Sequence, residues 1–279
     1  MEIEHTDINK AWRWMLHDIM NGEEVSPRGR LTAELLGHRC VIDMKRPILT
    51  VQERKLGYRF MCASAAWILS GDNRVETIAP YSKMISNFSD DGKTFFGAYG
   101  PKILQQLDYV VTNLRGDRDS RQAVINIWRE NPPKVKDVPC TLSHQFLLRQ
   151  GRLDVVTTMR SNDAWLGFPY DVFDVVMLAG YVLLRLGDPS IELGMLYHTA
   201  GSRHLYETNW EGVAACLKSD LKPVFEYTDF DPYEFKSPED LVQHLWGLAE
   251  LDKSKFKGKF LVNTIVDVYP MSRLPDDKT

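Results

Sequence analysis

No apolar run in the 279 residues is long enough to cross a bilayer. The longest, Val175 to Leu186, falls short of the roughly 20 residues that a spanning helix needs. It also follows two acids, Asp171 and Asp174, and reads as a buried helix. Cysteine is scarce. Cys40, Cys62, Cys140 and Cys216 lie far apart with no Cys-x-x-Cys spacing, which argues against a disulfide framework and for reduced thiols in a reducing compartment. There is no basic excess: the net charge is -4, so nonspecific affinity for a nucleic acid polymer is not expected. The start, Met1-Glu2-Ile3-Glu4-His5, is acidic and polar rather than a signal peptide. A cytoplasmic protein without a membrane partner is the expectation. His198 and His204 lack a convincing third ligand, so no metal is expected. Internal repeats, low-complexity tracts and linkers are absent.

What is present is ordinary globular material, 44% hydrophobic and 26% charged. Residues 1–279 read as one domain, with 217–279 a divergent C-terminal extension. Ile8, Ala11, Trp12, Met15, Leu16 and Ile19 recur at helical spacing behind a capping Asp7. Further helices are expected over Arg59–Leu69, from Gly97-Ala98-Tyr99-Gly100 onward, and over Ser237–Glu250. Gln122 to Trp128, Ser143 to Arg149 and Arg152 to Met159 are β-rich, and Gln150-Gly151 predicts a hairpin between the last two. Helices and strands are mixed rather than strictly alternating, which predicts an α+β architecture.

The chemistry-bearing residues concentrate between Val138 and Asp171. Val138-Pro139-Cys140 leads into Ser143-His144-Gln145-Phe146; Arg160-Ser161-Asn162-Asp163 then runs to Leu166-Gly167-Phe168-Pro169-Tyr170-Asp171. In order and spacing this resembles the thymidylate synthase superfamily. Asp171 stands where thymidylate synthases carry an asparagine, a swap that resembles the deoxycytidylate (or cytidylate) 5-hydroxymethylase branch. Gly201-Ser202-Arg203-His204-Leu205-Tyr206 is similar to a second motif of the superfamily. The likeness covers roughly Asp7 to Cys216.

The resemblance implies a thymidylate synthase-like fold: a mixed β-sheet with surrounding helices, one sheet face forming a homodimer interface. It also implies two substrates, a pyrimidine nucleoside monophosphate and 5,10-methylenetetrahydrofolate. The Cys140 thiolate would add to C6 of the pyrimidine, helped by the Arg160 guanidinium. A free cysteine otherwise merely packs, the reading that suffices for Cys40, Cys62 and Cys216. Arg160 and Ser161 would bind the phosphate, with Arg121 reaching across the dimer and Arg28 in the N-terminal loop. Gln145 and Asn162 would line the nucleotide, and His204 and Tyr206 would bond the sugar hydroxyl. Arg54 and Asp163 would contact the folate, and Tyr99 would join the proton network.

Asp171 would read the base. A protonated aspartate can donate to cytosine N3 and accept from the N4 amine; an ionised one can pair with a protonated ring. A mismatched buried polar group costs on the order of 1–3 kcal/mol. As a helix cap, Asp171 would need no ligand at all.

Four departures accompany the likeness. Ser64 replaces the glutamate of the superfamily three residues before Trp67, and Gln122 replaces an arginine after Arg121. The stretch Tyr81 to Phe88 has no tryptophan to shield a folate from water, and the tail after 217 is unlike a short closing C-terminus. The expected activity is therefore conversion of dCMP or CMP to its 5-hydroxymethyl product, with water capturing the C5 methylene and Tyr99 or Ser64 with ordered water moving protons. A C5 methylase of dCMP or dUMP, or a silent nucleotide-binding homologue, are the alternatives.

Overall fold

The structure, a computed structural model, describes residues 6–262 except 83, 221 and 222. Helix α1 (Ile8–Met20) starts where Asp7 accepts from the Lys10 backbone N–H at 3.0 Å, and all six of its periodic apolar residues are buried. Strands β1 (Glu23–Val25) and β2 (Thr32–Asp43) follow, then α2 (Tyr58–Leu69), the short α3 (Val75–Ile78) and α4 (Tyr99–Gly116). Next come β3 (Val124–Asn126), β4 (Thr141–Arg149), β5 (Arg152–Asp163), α5 (Phe168–Leu186) and β6 (Glu192–Tyr206). Helices α6 (Trp210–Lys218) and α7 (Pro238–Glu250) complete the described part.

The strands form one mixed sheet, ordered β1-β2-β6-β5-β4-β3. Every pairing is antiparallel except β5 with β6. A parallel pair needs a crossover rather than a tight turn, and α5 supplies it. The α+β expectation, a mixed sheet surrounded by helices, matches. The β4–β5 turn also falls where expected. Gln150 and Gly151 both take left-handed backbone angles, φ 51° and 73°, as a two-residue hairpin turn requires.

Two boundaries differ from the sequence reading in ways that matter for the site. The buried helix begins at Phe168 rather than Val175, with Pro169 in its first turn and Gly187 (φ 69°) at its C-terminal end. Proline suits a first helical turn because its missing N–H has no intrahelical partner to lose. Asp171 and Asp174 are thereby helical residues, one turn apart. Strand β5 runs on past Met159 to Asp163, and the expected Gln122–Trp128 strand is only three residues long.

Helices α1, α4 and α5 cover one face of the sheet, and α7 packs across α2 and α5. Strand residues alternate across that face. Val155, Thr157 and Met159 point into the helical layer; Val156 and Thr158 point to the other side and are only half-buried, like Tyr197 and Thr199 on β6. Beyond α6, Phe230, Leu241, Leu245 and Phe260 enter the same core, with the Phe230 and Phe260 rings 4.7 Å apart. Among the described residues no helix is long and apolar enough to cross a membrane.

Candidate active site

Cys140 lies just before β4, and β5 fixes its surroundings. The Arg160 guanidinium donates from Nε to the Pro139 carbonyl at 2.8 Å and from Nη2 to the Val138 carbonyl at 2.9 Å. It thus fastens the segment that carries the thiol. Nη2 also approaches Cys140 Sγ at 3.5 Å, and Ser161 Oγ lies 3.8 Å from the same sulfur. Burial pushes the thiol pKa up, while Arg160 and Ser161 pull it down. The expected assistance from Arg160 has the right sign, but desolvation outweighs it. At the start of α4, the Tyr99 hydroxyl accepts from the Thr141 backbone N–H at 3.3 Å. Burial, aided by Cys140 and Asp171, holds this phenol well above the ordinary range.

A chain of buried polar groups runs from β6 to α5. Arg203, fully buried, donates through Nη1 to Asn162 Oδ1 and through Nη2 to His198 Nδ1 at 2.9 Å. Its guanidinium sits 5.1 Å over the Phe168 ring. Asn162 then donates from Nδ2 to Asp171 Oδ2 at 2.5 Å. Burial pushes the Asp171 carboxyl up to about 7, with Asp163 adding to the rise while Arg203 and the Asn162 amide oppose it. A carboxyl poised there holds a proton about half the time at neutral pH, so it presents both a donor and an acceptor.

Ser64 projects from α2 toward α5 and donates to Asp174 Oδ2 at 2.8 Å. The other oxygen, Asp174 Oδ1, is buried without a hydrogen-bond partner. Burial holds this carboxyl well above the usual carboxylate range, and the neighbouring Asp171 adds to that. Both aspartates, with Tyr99, Thr141, His144 and Thr157, line a small chamber of about 20 Å³, which the Cys140 segment reaches through Thr141.

The expected folate residues occupy an adjoining corner. Asp163 accepts from the backbone N–H groups of Trp165 and Leu166, both at 2.8 Å through Oδ1. Arg54 is buried, donates to the Trp165 carbonyl at 2.7 Å and lies 5.3 Å over the Trp165 ring. Asp163 attracts it electrostatically. His204 packs edge-on to Tyr206 at 5.2 Å, and the Arg30 guanidinium stacks on Tyr206 at 4.5 Å.

Of the expected residues, Tyr99 and Asp171 line the chamber; Arg160 and Ser161 flank the Cys140 sulfur, Asn162 bonds Asp171, and Ser64 bonds Asp174. Asp163 acts electrostatically on Asp171, Arg54 and His204, and Tyr206 packs on His204. Three expected residues lie elsewhere in the single chain. Arg28 is exposed at a left-handed φ of 54°, and Arg121 is exposed at the edge beside β3. Gln145 alternates with the chamber-facing His144 and donates to the Arg121 carbonyl at 2.8 Å.

Asp174, Arg203 and His198 were missed as members of the site. The spacing of Asp171 and Asp174, three apart, could have pointed to a shared helix face. Arg203 left no such trace. The β2–β6 register passes over Gly37 and Gly201, so Arg203 faces the core together with His198, five residues away.

The thymidylate synthase family model matches residues 10–231. The chain belongs to the thymidylate synthase family. Two curated relatives are deoxyuridylate hydroxymethyltransferases of phages. The one from Pseudomonas phage M6 is 31% identical over 196 residues, covering 67% of this chain and 55% of the relative. The one from Bacillus phage SP01 is 30% identical over 232 residues, covering 74% and 58%. The chain thus spans little more than half the length of these relatives.

Proposed function

We propose that this chain is a folate-dependent pyrimidine-nucleotide 5-hydroxymethyltransferase that acts on a cytidylate, dCMP or CMP. The supporting observation is the Asp171 carboxyl, poised near neutrality and held by Asn162, in the same chamber wall as the Cys140 segment. With Nδ2 of Asn162 donating to Oδ2, the proton on Asp171 is favoured at Oδ1. The carboxyl then meets the base with one fixed donor and one fixed acceptor, the complement that cytosine N3 and N4 require. Cys140 is the nucleophile toward C6, and Arg160 with Ser161 takes the phosphate. Asp163 and Arg54 form a mixed acceptor and donor pair that suits a pterin ring. Methylenetetrahydrofolate, when bound, supplies a one-carbon unit at the formaldehyde oxidation level. The stretch Tyr81 to Phe88 carries no tryptophan, a departure from thymidylate synthases that favours capture of the C5 methylene by water over reduction.

A second reading, dUMP as the substrate, is favoured by the names of the two relatives. A neutral carboxyl with donor and acceptor exchanged would suit uracil N3–H and O4. Incubating the protein with dCMP, CMP, dUMP and UMP plus methylenetetrahydrofolate separates the two by product mass. Gain of CH2O on a cytidylate is the expected result. Gain on uridylates alone overturns the base assignment, and gain of a methyl without oxygen overturns water capture. Asp171→Asn should shift the cytidylate-to-uridylate ratio of kcat/KM toward uridylate by about 5- to 150-fold, the equivalent of one mismatched buried pair.

The uncovered sheet face, with half-buried Val156, Thr158, Tyr197 and Thr199, supports a homodimer that would carry Arg121 toward the second copy's phosphate site. A cytoplasmic setting agrees with four free thiols.

A further inference from the structure

We infer that Asp174 supplies the proton-transferring carboxyl of this site, in place of the carboxylate that α2 lacks at Ser64. The inference rests on the folate-dependent reading above and deepens it. Ser64 and Asp174 face each other across the α2–α5 contact and share one hydrogen bond, so hydroxyl and carboxyl occupy the opposed helices. Ser64 fixes the orientation of the carboxyl by engaging Oδ2. Oδ1 is left buried and unpartnered. An unmatched buried carboxyl oxygen destabilises a fold, and nothing in the packing requires one here. The orphaned oxygen belongs to a residue lining the chamber that Tyr99, Thr141 and Asp171 also line. At about 20 Å³ that chamber has room for roughly one water, a size suited to a single-molecule relay.

The proton traffic of the proposed reaction needs such a group. As the Cys140 sulfur bonds C6, the C5=C6 electron pair shifts to C4=C5 and the C4=N3 pair moves onto ring N3, which takes up a proton. C5 then attacks the one-carbon unit and still carries its original hydrogen. That proton must leave, and its electron pair forms the exocyclic C5 double bond as the tetrahydrofolate nitrogen departs and is protonated. Water adds to the exocyclic carbon and loses a proton, and the returning electrons expel the Cys140 thiolate. Nucleotide, methylenetetrahydrofolate and water thus become hydroxymethyl nucleotide and tetrahydrofolate, with no net oxidation. The carboxyl of Asp174, working through Tyr99 or one water, gives and regains the protons at the base.

The test compares Asp174→Asn with the exchange variant Ser64→Glu/Asp174→Ser, which returns the carboxyl to α2. Asn can still accept from Ser64, so packing is retained. Expected for Asp174→Asn is a fall in kcat, and in tritium release from 5-labelled nucleotide, of about 10²- to 10⁴-fold. Nucleotide Kd should stay within about threefold, because ground-state binding is untouched. The exchange variant should recover at least about tenfold of the lost tritium release. Asp174→Asn releasing tritium at close to the wild-type rate, or a folded exchange variant with no recovery, overturns the assignment. A wild-type protein that yields a methyl product while Asp174→Asn yields none overturns water capture alone and supports the relay.

Discussion

Asp171 couples the base-reading end of the site to the stability of the fold, and the size of that coupling follows from its surroundings. An aspartate in an unfolded chain titrates near about 3.9. In the folded protein burial pushes Asp171 up to about 7, against the opposing pull of Arg203 and the Asn162 amide. The folded state therefore holds this proton more tightly than the unfolded state. The resulting contribution is fully present at low pH and is lost as pH rises through the folded value. At about 1.4 kcal/mol for each pKa unit, roughly 2 kcal/mol disappears between pH 5 and pH 7, with little further change above pH 8. Asp171→Asn replaces the carboxyl by an uncharged group of the same shape and removes this component. Urea unfolding at pH 5, 6, 7 and 8 should show wild-type stability falling relative to the variant by about 2 kcal/mol over the first two units. Taking the difference between the proteins cancels the titrating groups that Asp171 does not influence; Asp174, which Asp171 pushes up, is held constant by repeating the pair in the Asp174→Asn background. Parallel curves across this range would refute the claim that the folded structure holds Asp171 protonated near neutrality.

Two further outcomes test the buried architecture. Arg203→Met strands Asn162 Oδ1 and His198 Nδ1 and strips Asp171 of the cation that pulls its carboxyl down; it should destabilise by about 3–5 kcal/mol in urea, and a loss below about 1 kcal/mol would contradict the network. Phe260→Ala opens a fully buried site against Phe230; a destabilisation of about 3–5 kcal/mol in a single unfolding transition is expected, whereas an early separate transition would show that the segment after α6 folds apart from the rest.

The legible parts of this molecule were those written locally. Asp7 and the apolar stripe of α1, the Gln150-Gly151 turn and the Pro-Cys and Arg-Ser dipeptides each carry their meaning within a few residues. The illegible parts were made by distance. Ser64 and Asp174 are 110 positions apart, and each alone reads as packing or as a solvated acid. The absence of a carboxylate at Ser64 was plain in the sequence; its counterpart on the facing helix was not, because helix pairing sets it. Arg203 was passed over because an arginine is rarely buried unless paired, and its partners Asn162 and His198 converge only once β5 and β6 lie side by side. The α5 start was placed late because the unbroken apolar run begins only past Asp174, although Pro169 had already marked the first turn.

Strand β6 has a consequence for the order in which a growing chain is completed. It sits between β2 and β5, pairing Thr32 with Tyr206 on one side and Asp163 with His204 on the other. The first of these joins residues more than 170 positions apart, and pairings of such long range are slow to form. During synthesis the nucleophile and both aspartates emerge before Arg203 and His198 exist. Until β6 inserts, the sheet presents two unpaired edges and the acidic chamber has no buried cation beside it. A chain ending before Glu192 should therefore be prone to edge-to-edge association. One late strand closes the sheet and charges the site in the same event.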